Sequence, residues 1–234
     1  MADGGGWNDP ARVERFAARD ADRRLVRLLD RYPDPGRVRV LDLGCAGGRN
    51  AALLAERGFD VYALDLAPAM VARTRDRVAV TLGAAEARRR VVTGDMRDLR
   101  ALPVETFDLV VALGVYHQAE DEASWRRALE ETARVLPPPG LCLVAVFVPG
   151  TGPVGAPLRS VPGTRFVHEG FESGRLCLRD PRGLDADFLS LGFVPELPTE
   201  VVEREEEGRL RVTANATYRR REAGGTLPRD LAGV

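Results

Sequence analysis

Residues 38–50, V-R-V-L-D-L-G-C-A-G-G-R-N, constrain the fold of this chain more than any other stretch. They read as a buried strand (38–43) that breaks into a loop of small residues and enters a helix at Arg49. Twenty-one residues after Gly44, Asp65 ends a second hydrophobic run, V-Y-A-L-D. Small residues let a ligand approach the loop backbone, and the helix start behind it offers free N–H groups. An acid at the tip of the next strand is placed to accept hydrogen bonds from a ribose. Together these features predict a protein that holds a nucleoside-containing cofactor.

The rest of the chain continues the alternation. Helical spacing of apolar residues covers 10–30, and Y-P-D-P-G at 32–36 stops it. After the strand at 38–43 come a helix over 49–57, a strand over 60–65 and a helix from Pro68 to about residue 79. Short strands are expected at 90–95 and 106–114, the latter apolar on both faces and so central. A helix over 122–136 ends at P-P-P-G before a fifth strand, 141–148. Strands alternating with helices give right-handed βαβ units and a parallel sheet covered on both sides. Residues 150–174, rich in Gly and Pro and without a clear period, read as a long loop or lid. A short helix over 184–191 precedes two strands joined at the E-E-E-G turn, a closing hairpin. The expected division is an N-terminal helical lid segment (1–36), one α/β domain (37–222) and a disordered tail (223–234).

Composition narrows the function classes. The chain has 234 residues, a net charge of −1 and 34 basic residues, all of them arginine. No basic stripe stands out, which argues against a nucleic-acid partner. Cys45, Cys142 and Cys177 form no CxxC pair and read as buried reduced thiols. The first ten residues lack the apolar core of a signal peptide, and the longest apolar run, 141–148, is too short to span a bilayer. A soluble, cytoplasmic protein is expected. Two histidines without cysteine partners at ligand spacing predict no metal site.

Four segments in order resemble the class I S-adenosylmethionine-dependent methyltransferases. L-D-L-G-C-A-G-G is similar to the family's acid-x-Gly-x-Gly-x-Gly loop, and A-L-D-L-A-P-A-M to its ribose-acid strand. T-G-D-M is similar to the adenine-contacting turn, and F-D-L-V-V-A-L-G-V-Y-H to the strand that lines the methyl donor. The G-R-N sequence at 48–50 is similar to tellurite-resistance and thiopurine-type enzymes, which act on small molecules. The resemblance implies a Rossmann-like, seven-stranded, mostly parallel sheet with helices on both faces and a C-terminal antiparallel hairpin. It implies S-adenosylmethionine as cofactor and a small-molecule methyl acceptor. One departure is Ala46, where the middle glycine is commonest; its methyl is tolerable if φ is negative.

The resemblance also implies site roles. Gly44, Cys45, Ala46 and Gly48 would cradle the donor, and Asp42 would orient the loop amides or meet the donor's amino group through water. Asp65 would take the ribose hydroxyls, with Leu66 beside it. Asp95 would accept from the adenine amino group, with Met96 against the ring, and Leu113 would wall the sulfonium. Arg19 would pair with the donor's carboxylate, from an N-terminal segment that also carries Trp7 and Phe16. Tyr116 is placed to face the sulfonium. His117 reads either as a general base or as a hydrogen-bond partner of a loop backbone, and His168 as a group within reach of the acceptor. Two other readings compete: a non-catalytic donor-binding protein of regulation or assembly, and an NAD(P)-dependent oxidoreductase. The latter needs G-x-G-x-x-G, which Ala46 and Arg49 break.

Overall fold

A computed structural model describes residues 6–102, 106–154, 158–171, 174–206 and 208–222. The expected disordered tail lies outside the described residues. The chain opens with two helices, α1 (Pro10–Ala17) and α2 (Arg23–Leu29), where one was expected. The break has a local cause: the Asp22 side chain accepts from Arg24 N–H and caps α2. It also has a tertiary one, because Asp22 N–H donates to Asn50 Oδ1 at 3.0 Å.

The α/β unit follows as β1 (Arg39–Leu43), α3 (Arg49–Glu56), β2 (Asp60–Asp65), α4 (Pro68–Leu82), α5 (Ala84–Arg90), β3 (Val91–Thr93), β4 (Leu109–Leu113), α6 (Glu122–Val135) and β5 (Leu141–Phe147). Next come β6 (Gly152–Pro153), β7 (Arg159–Ser160), β8 (Val167–Phe171), β9 (Gly174–Cys177), α7 (Pro181–Ser190), β10 (Phe193–Pro195), β11 (Glu200–Glu206) and β12 (Arg209–Arg220). The main sheet runs β10-β12-β5-β4-β1-β2-β3, with β11 and β6 also paired to β12. Strands β3, β2, β1, β4 and β5 are parallel, and β12 enters antiparallel to β5. The mostly parallel sheet and the closing hairpin are those expected, but the sheet has nine strands where seven were expected. A connection expected to be a loop differs more. Within 150–174 the chain forms β6, β7 and β8, and with β9 the latter two make a separate three-stranded antiparallel sheet.

Each face of the main sheet has its own core. Val40, Val61, Ala63, Val111 and Leu143 point to one side, under α2, α3 and α4. Leu41, Val110, Ala112, Cys142 and Val144 point to the other, under α6 and α7. This alternation fixes where the strand ends deliver their side chains. Among the described residues, no helix is long and apolar enough to cross a membrane.

Candidate functional site

The loop after β1 is held from three sides. Gly44 N–H and Cys45 N–H both donate to Leu64 C=O, at 2.8 and 3.0 Å. Ala46 N–H donates to Asp65 Oδ2 at 2.9 Å, and Thr74 Oγ1 donates to Ala46 C=O at 2.7 Å. Ala46 has φ +47°, the only positive value for a non-glycine among the described residues, so the condition under which its methyl is tolerated freely, a negative φ, is not met. Its amide and carbonyl are both committed, which holds a backbone that alanine alone disfavours. Three loop glycines are required by space. A methyl added at Gly44 would lie 2.7 Å from Val115, one at Gly47 2.7 Å from the Ala17 backbone, and one at Gly48 2.9 Å from the Thr74 backbone. The last turn of α1 therefore rests directly on the loop.

Two acids converge behind it. Asp65 accepts from Ala67 N–H through Oδ1 and from Ala46 N–H through Oδ2, each at 2.9 Å. An ionised carboxylate has about four lone-pair sites, so capacity beyond these backbone donors remains. Burial pushes its carboxyl up against these backbone donors. Asp42 is 2% exposed, and its Oδ2 is sealed from solvent without a hydrogen-bond partner. Burial, opposed by Arg49 and reinforced by Asp65, pushes its carboxyl up to about 7. A buried acceptor left without a donor is costly, and this one fits a ligand that brings a donor or a bridging water.

Other expected contacts are differently engaged. Asp95 sits in a turn after β3 and binds Arg97 with both oxygens, at 2.6 to 3.0 Å. Burial raises its pKa, but Arg97 outweighs this and holds the carboxyl below its ordinary value. Met96 is half-buried against the α6-side core. Leu66, beside Asp65, is 60% exposed, an unusual position for a leucine at a strand end. Cys45 is buried, with Sγ 3.5 Å from Thr74 Oγ1. Leu113 ends β4 on the same face as Asp42.

Of the two residues placed nearest the chemistry, Tyr116 is packed in the core and His117 takes the second of its two expected roles. Tyr116 is fully buried in the α6-side core, edge-on to Trp125 and Phe188, with its hydroxyl 2.7 Å from Thr132 Oγ1. A ring packed there presents neither its face nor its hydroxyl to an open surface. His117 is 2% exposed, stacks on Phe147 at 4.0 Å, and accepts Phe147 N–H through Nδ1 at 3.2 Å. Its single neutral lone pair is thereby used, leaving Nε2 as a donor. Burial, helped by the Arg211 charge, holds its pKa down to about 3. The general-base reading gives way to the backbone-partner reading.

Two cavities adjoin these elements. One of about 280 Å³ lies between the α1–α2 linker and α3, with Arg19, Arg49 and Arg77 in its wall. Arg19 lies over the Phe16 ring at 4.6 Å, and Arg77 donates to Ala17 C=O at 2.5 Å. Burial and the Arg19 charge, opposed by Asp22 and Asp42, push the Arg49 pKa down, and Asp20 and Glu56 share the cavity wall. Arg49 and Arg77 come from α3 and α4, and no local sequence pattern ties them to Arg19. The second cavity, about 400 Å³, is lined by Pro149, Val154, Leu158, Leu178, Leu210 and His168. His168 is engaged within the small sheet, with Nε2 3.3 Å from Ser160 Oγ and Nδ1 3.2 Å from Phe166 C=O.

Residues 40–140 match the family described as methyltransferase domain. Over 130 residues the chain is 38% identical to malonyl-[acyl-carrier protein] O-methyltransferase of Halorhodospira halophila, covering 53% of this chain and 41% of that protein. Over 135 residues it is 36% identical to ribosomal RNA small subunit methyltransferase C of Chromohalobacter salexigens, covering 56% and 38% respectively. The chain thus spans about two fifths of the length of these relatives. Among solved structures, it aligns with 1,6-didemethyltoxoflavin-N1-methyltransferase of Burkholderia thailandensis at a TM-score of 0.59 and 20% identity, over 92% of this chain and 81% of that one. That structure holds 1,6-didemethyltoxoflavin and S-adenosylhomocysteine. At such identity the likeness is one of fold.

Proposed function

We propose that the chain is a class I S-adenosylmethionine-dependent methyltransferase that moves a methyl group from that donor to a small-molecule acceptor, a reading supported by the match of residues 40–140 to a methyltransferase domain. The observation that carries this is the glycine loop held between Asp65 and α1, with the orphaned Asp42 oxygen behind it. When bound, the donor supplies a methyl carbon already activated by its sulfonium. The protein's part is to bind, orient and exclude water, and alignment alone is worth on the order of 7–11 kcal/mol of barrier.

The residues divide that work. Asp65 offers its remaining lone pairs to the ribose hydroxyls, while Gly44, Cys45, Ala46 and Gly48 present loop backbone. Asp42 Oδ2 serves the amino group of the donor through water. Arg19, joined by Arg49, serves the carboxylate. Leu66 covers one face of the adenine and Met96 the other, and Asp95 receives the adenine amino group by sharing an oxygen with Arg97. Leu113 walls the reacting carbon. With His117 engaged by Phe147, the acceptor loses its proton to water or arrives ionised. The contact of α1 with Gly47 makes α1 the segment that lifts for donor exchange. A small-molecule acceptor is supported by the near balance of charge, −1 overall, since nucleic-acid affinity draws on an excess of cations.

Calorimetry tests the reading. Wild type binds S-adenosylmethionine and S-adenosylhomocysteine; Asp65→Ala loses about 10- to 100-fold in affinity, the worth of charged hydrogen bonds. Equal binding by the two proteins, or none by wild type, would sink the assignment.

A further inference from the structure

We propose that Asn215, on β12, is the residue that selects the methyl acceptor, by taking a hydrogen bond from an N–H or O–H group on an aromatic ring. The inference rests on the methyl-transfer reading and adds a recognition residue to it.

The register carries the argument. Residues paired across adjacent strands point to the same face. Asp65 stands level with Gly44, because Leu64 pairs with Leu43 one step below. Leu113 pairs with Ala145, Ala145 pairs with Asn215, and Asp42 pairs with Val111 one row below Leu113. One row across the carboxyl edge therefore reads Asp65, Gly44, Leu113, Ala145, Asn215. At a strand spacing of about 4.8 Å, Asn215 lies two steps, about 10 Å, beyond Leu113. That is about the breadth of a substituted aromatic ring whose receiving atom lies over Leu113.

Two independent observations mark Asn215. Among the described residues, four buried side-chain polar atoms lack a hydrogen-bond partner, and two of them, Asp42 Oδ2 and Asn215 Oδ1, lie on this face of the sheet at its carboxyl edge. An orphaned carboxamide oxygen in a strand costs stability that any apolar side chain would avoid. It is explained if a ligand supplies the donor. The walls around it also suit a flat ring. Ala145 between Leu113 and Asn215 is small, and one row above, on the same face, Phe147 stands stacked between His117 at 4.0 Å and Phe171 at 6.0 Å. Arg211 lies 5.3 Å over the Phe147 ring. With its faces engaged by these neighbours, Phe147 presents a ring edge, the arrangement an aromatic acceptor packs against edge-to-face.

The test uses Asn215→Leu, which keeps the size and removes the polar atoms, and Asn215→Asp, which keeps an acceptor. Removing an unpaired buried oxygen is expected to raise the melting temperature by at least about 2 °C in Asn215→Leu. Affinity for S-adenosylhomocysteine is expected to stay within about twofold of wild type in both variants. Turnover is then measured with radiolabelled S-adenosylmethionine against a panel of hydroxy- and amino-substituted aromatic rings. For a ring methylated by wild type, Asn215→Leu raises KM at least about tenfold and changes kcat less, and Asn215→Asp retains part of the lost affinity. A lower melting temperature in Asn215→Leu, a loss of S-adenosylhomocysteine binding in either variant, or an unchanged KM overturns the proposal. Absence of turnover of every ring by a wild type that binds S-adenosylhomocysteine also overturns it. Failure of wild type to bind S-adenosylhomocysteine at all is a different result, and strikes the methyl-transfer reading itself.

Discussion

At the scale of single residues, Ala46 sets the tension in the donor loop. Its φ of +47° is held by Asp65 on the amide and Thr74 on the carbonyl. Ala46→Gly removes a left-handed penalty of about 1–2 kcal/mol, less the entropy glycine adds to the unfolded chain. Its expected stability is therefore equal to wild type or up to about 1 kcal/mol higher. Ala46→Val puts a β-branched side chain on the same backbone. It is expected to cost more than about 2 kcal/mol and to weaken donor binding, by thermal unfolding and calorimetry respectively. A stable Ala46→Val with native affinity would mean that the loop relaxes to another backbone. His117 gives a second residue-level expectation. With its lone pair on Phe147 N–H, it contributes no titration to catalysis. His117→Asn, whose Oδ1 can take the same N–H, should keep the wild-type pH profile of kcat between about pH 6 and 9, around the ordinary histidine value of about 6.5. An acid limb present in wild type and absent from the variant would return the base role to His117.

At the scale of elements, α1 is anchored to the α/β unit by few contacts. Val13, Met70 and Ala67 form a small cluster of their own. Arg73 pairs with Glu14 at the surface, and Arg77 holds Ala17 C=O. An eight-residue helix so attached opens at a free energy below that of the whole molecule. Amides of α1 are expected to exchange faster than those of β1 in the ligand-free protein and to slow on addition of S-adenosylmethionine. Arg77→Met should speed α1 exchange while leaving the global melting temperature within about 2 °C. Exchange of α1 and β1 at one common rate would show that α1 is no lid. The same scale explains what the sequence reveals. Strands β1, β4 and β5 are buried on both faces and read directly as apolar runs, and the loop and Asp65 follow from their spacing. The split of α1 from α2 was hidden, because one of its determinants, Asn50, lies 28 residues away from Asp22. Strands β6 and β7 have two residues each and no room to alternate. Tyr116 and His117 were legible as a strand-end pair. Which side of the sheet each serves was settled by Thr132 and Phe147, partners from α6 and β5 that no local pattern announces.

At the scale of the whole molecule, two buried groups near the carboxyl edge set opposite pH dependences. Asp42 in the folded protein titrates near 7 against an ordinary 3.8, so the folded state holds its proton longer than the unfolded state. Its contribution is fully present below about pH 4 and is lost as pH rises towards 7. His117 titrates near 3 against an ordinary 6.5, so the folded state keeps it neutral. Its contribution is present above about pH 6.5 and is lost as pH falls towards 3. Each shift is worth on the order of 4 kcal/mol, and both groups are buried too deeply for solvent to screen them. Between about pH 4 and 6.5 the two slopes, about 1.4 kcal/mol per pH unit each, oppose one another. Wild type is therefore expected to show little net slope from this pair in that window. Asp42→Asn removes one side, so its stability should climb with pH from 4.5 to 6.5. His117→Asn removes the other, so its stability should fall over the same range, and the double variant should be flat again. Urea unfolding at pH 4.5, 5.5 and 6.5 reads all four proteins, and single variants that run parallel to wild type would show that neither group is held as the fold implies. Donor binding couples to the same balance. An ammonium group brought to Asp42 Oδ2 favours the ionised carboxylate, so binding at pH 6 should release a proton, seen as a binding enthalpy that changes with the ionisation enthalpy of the buffer and that Asp42→Asn abolishes.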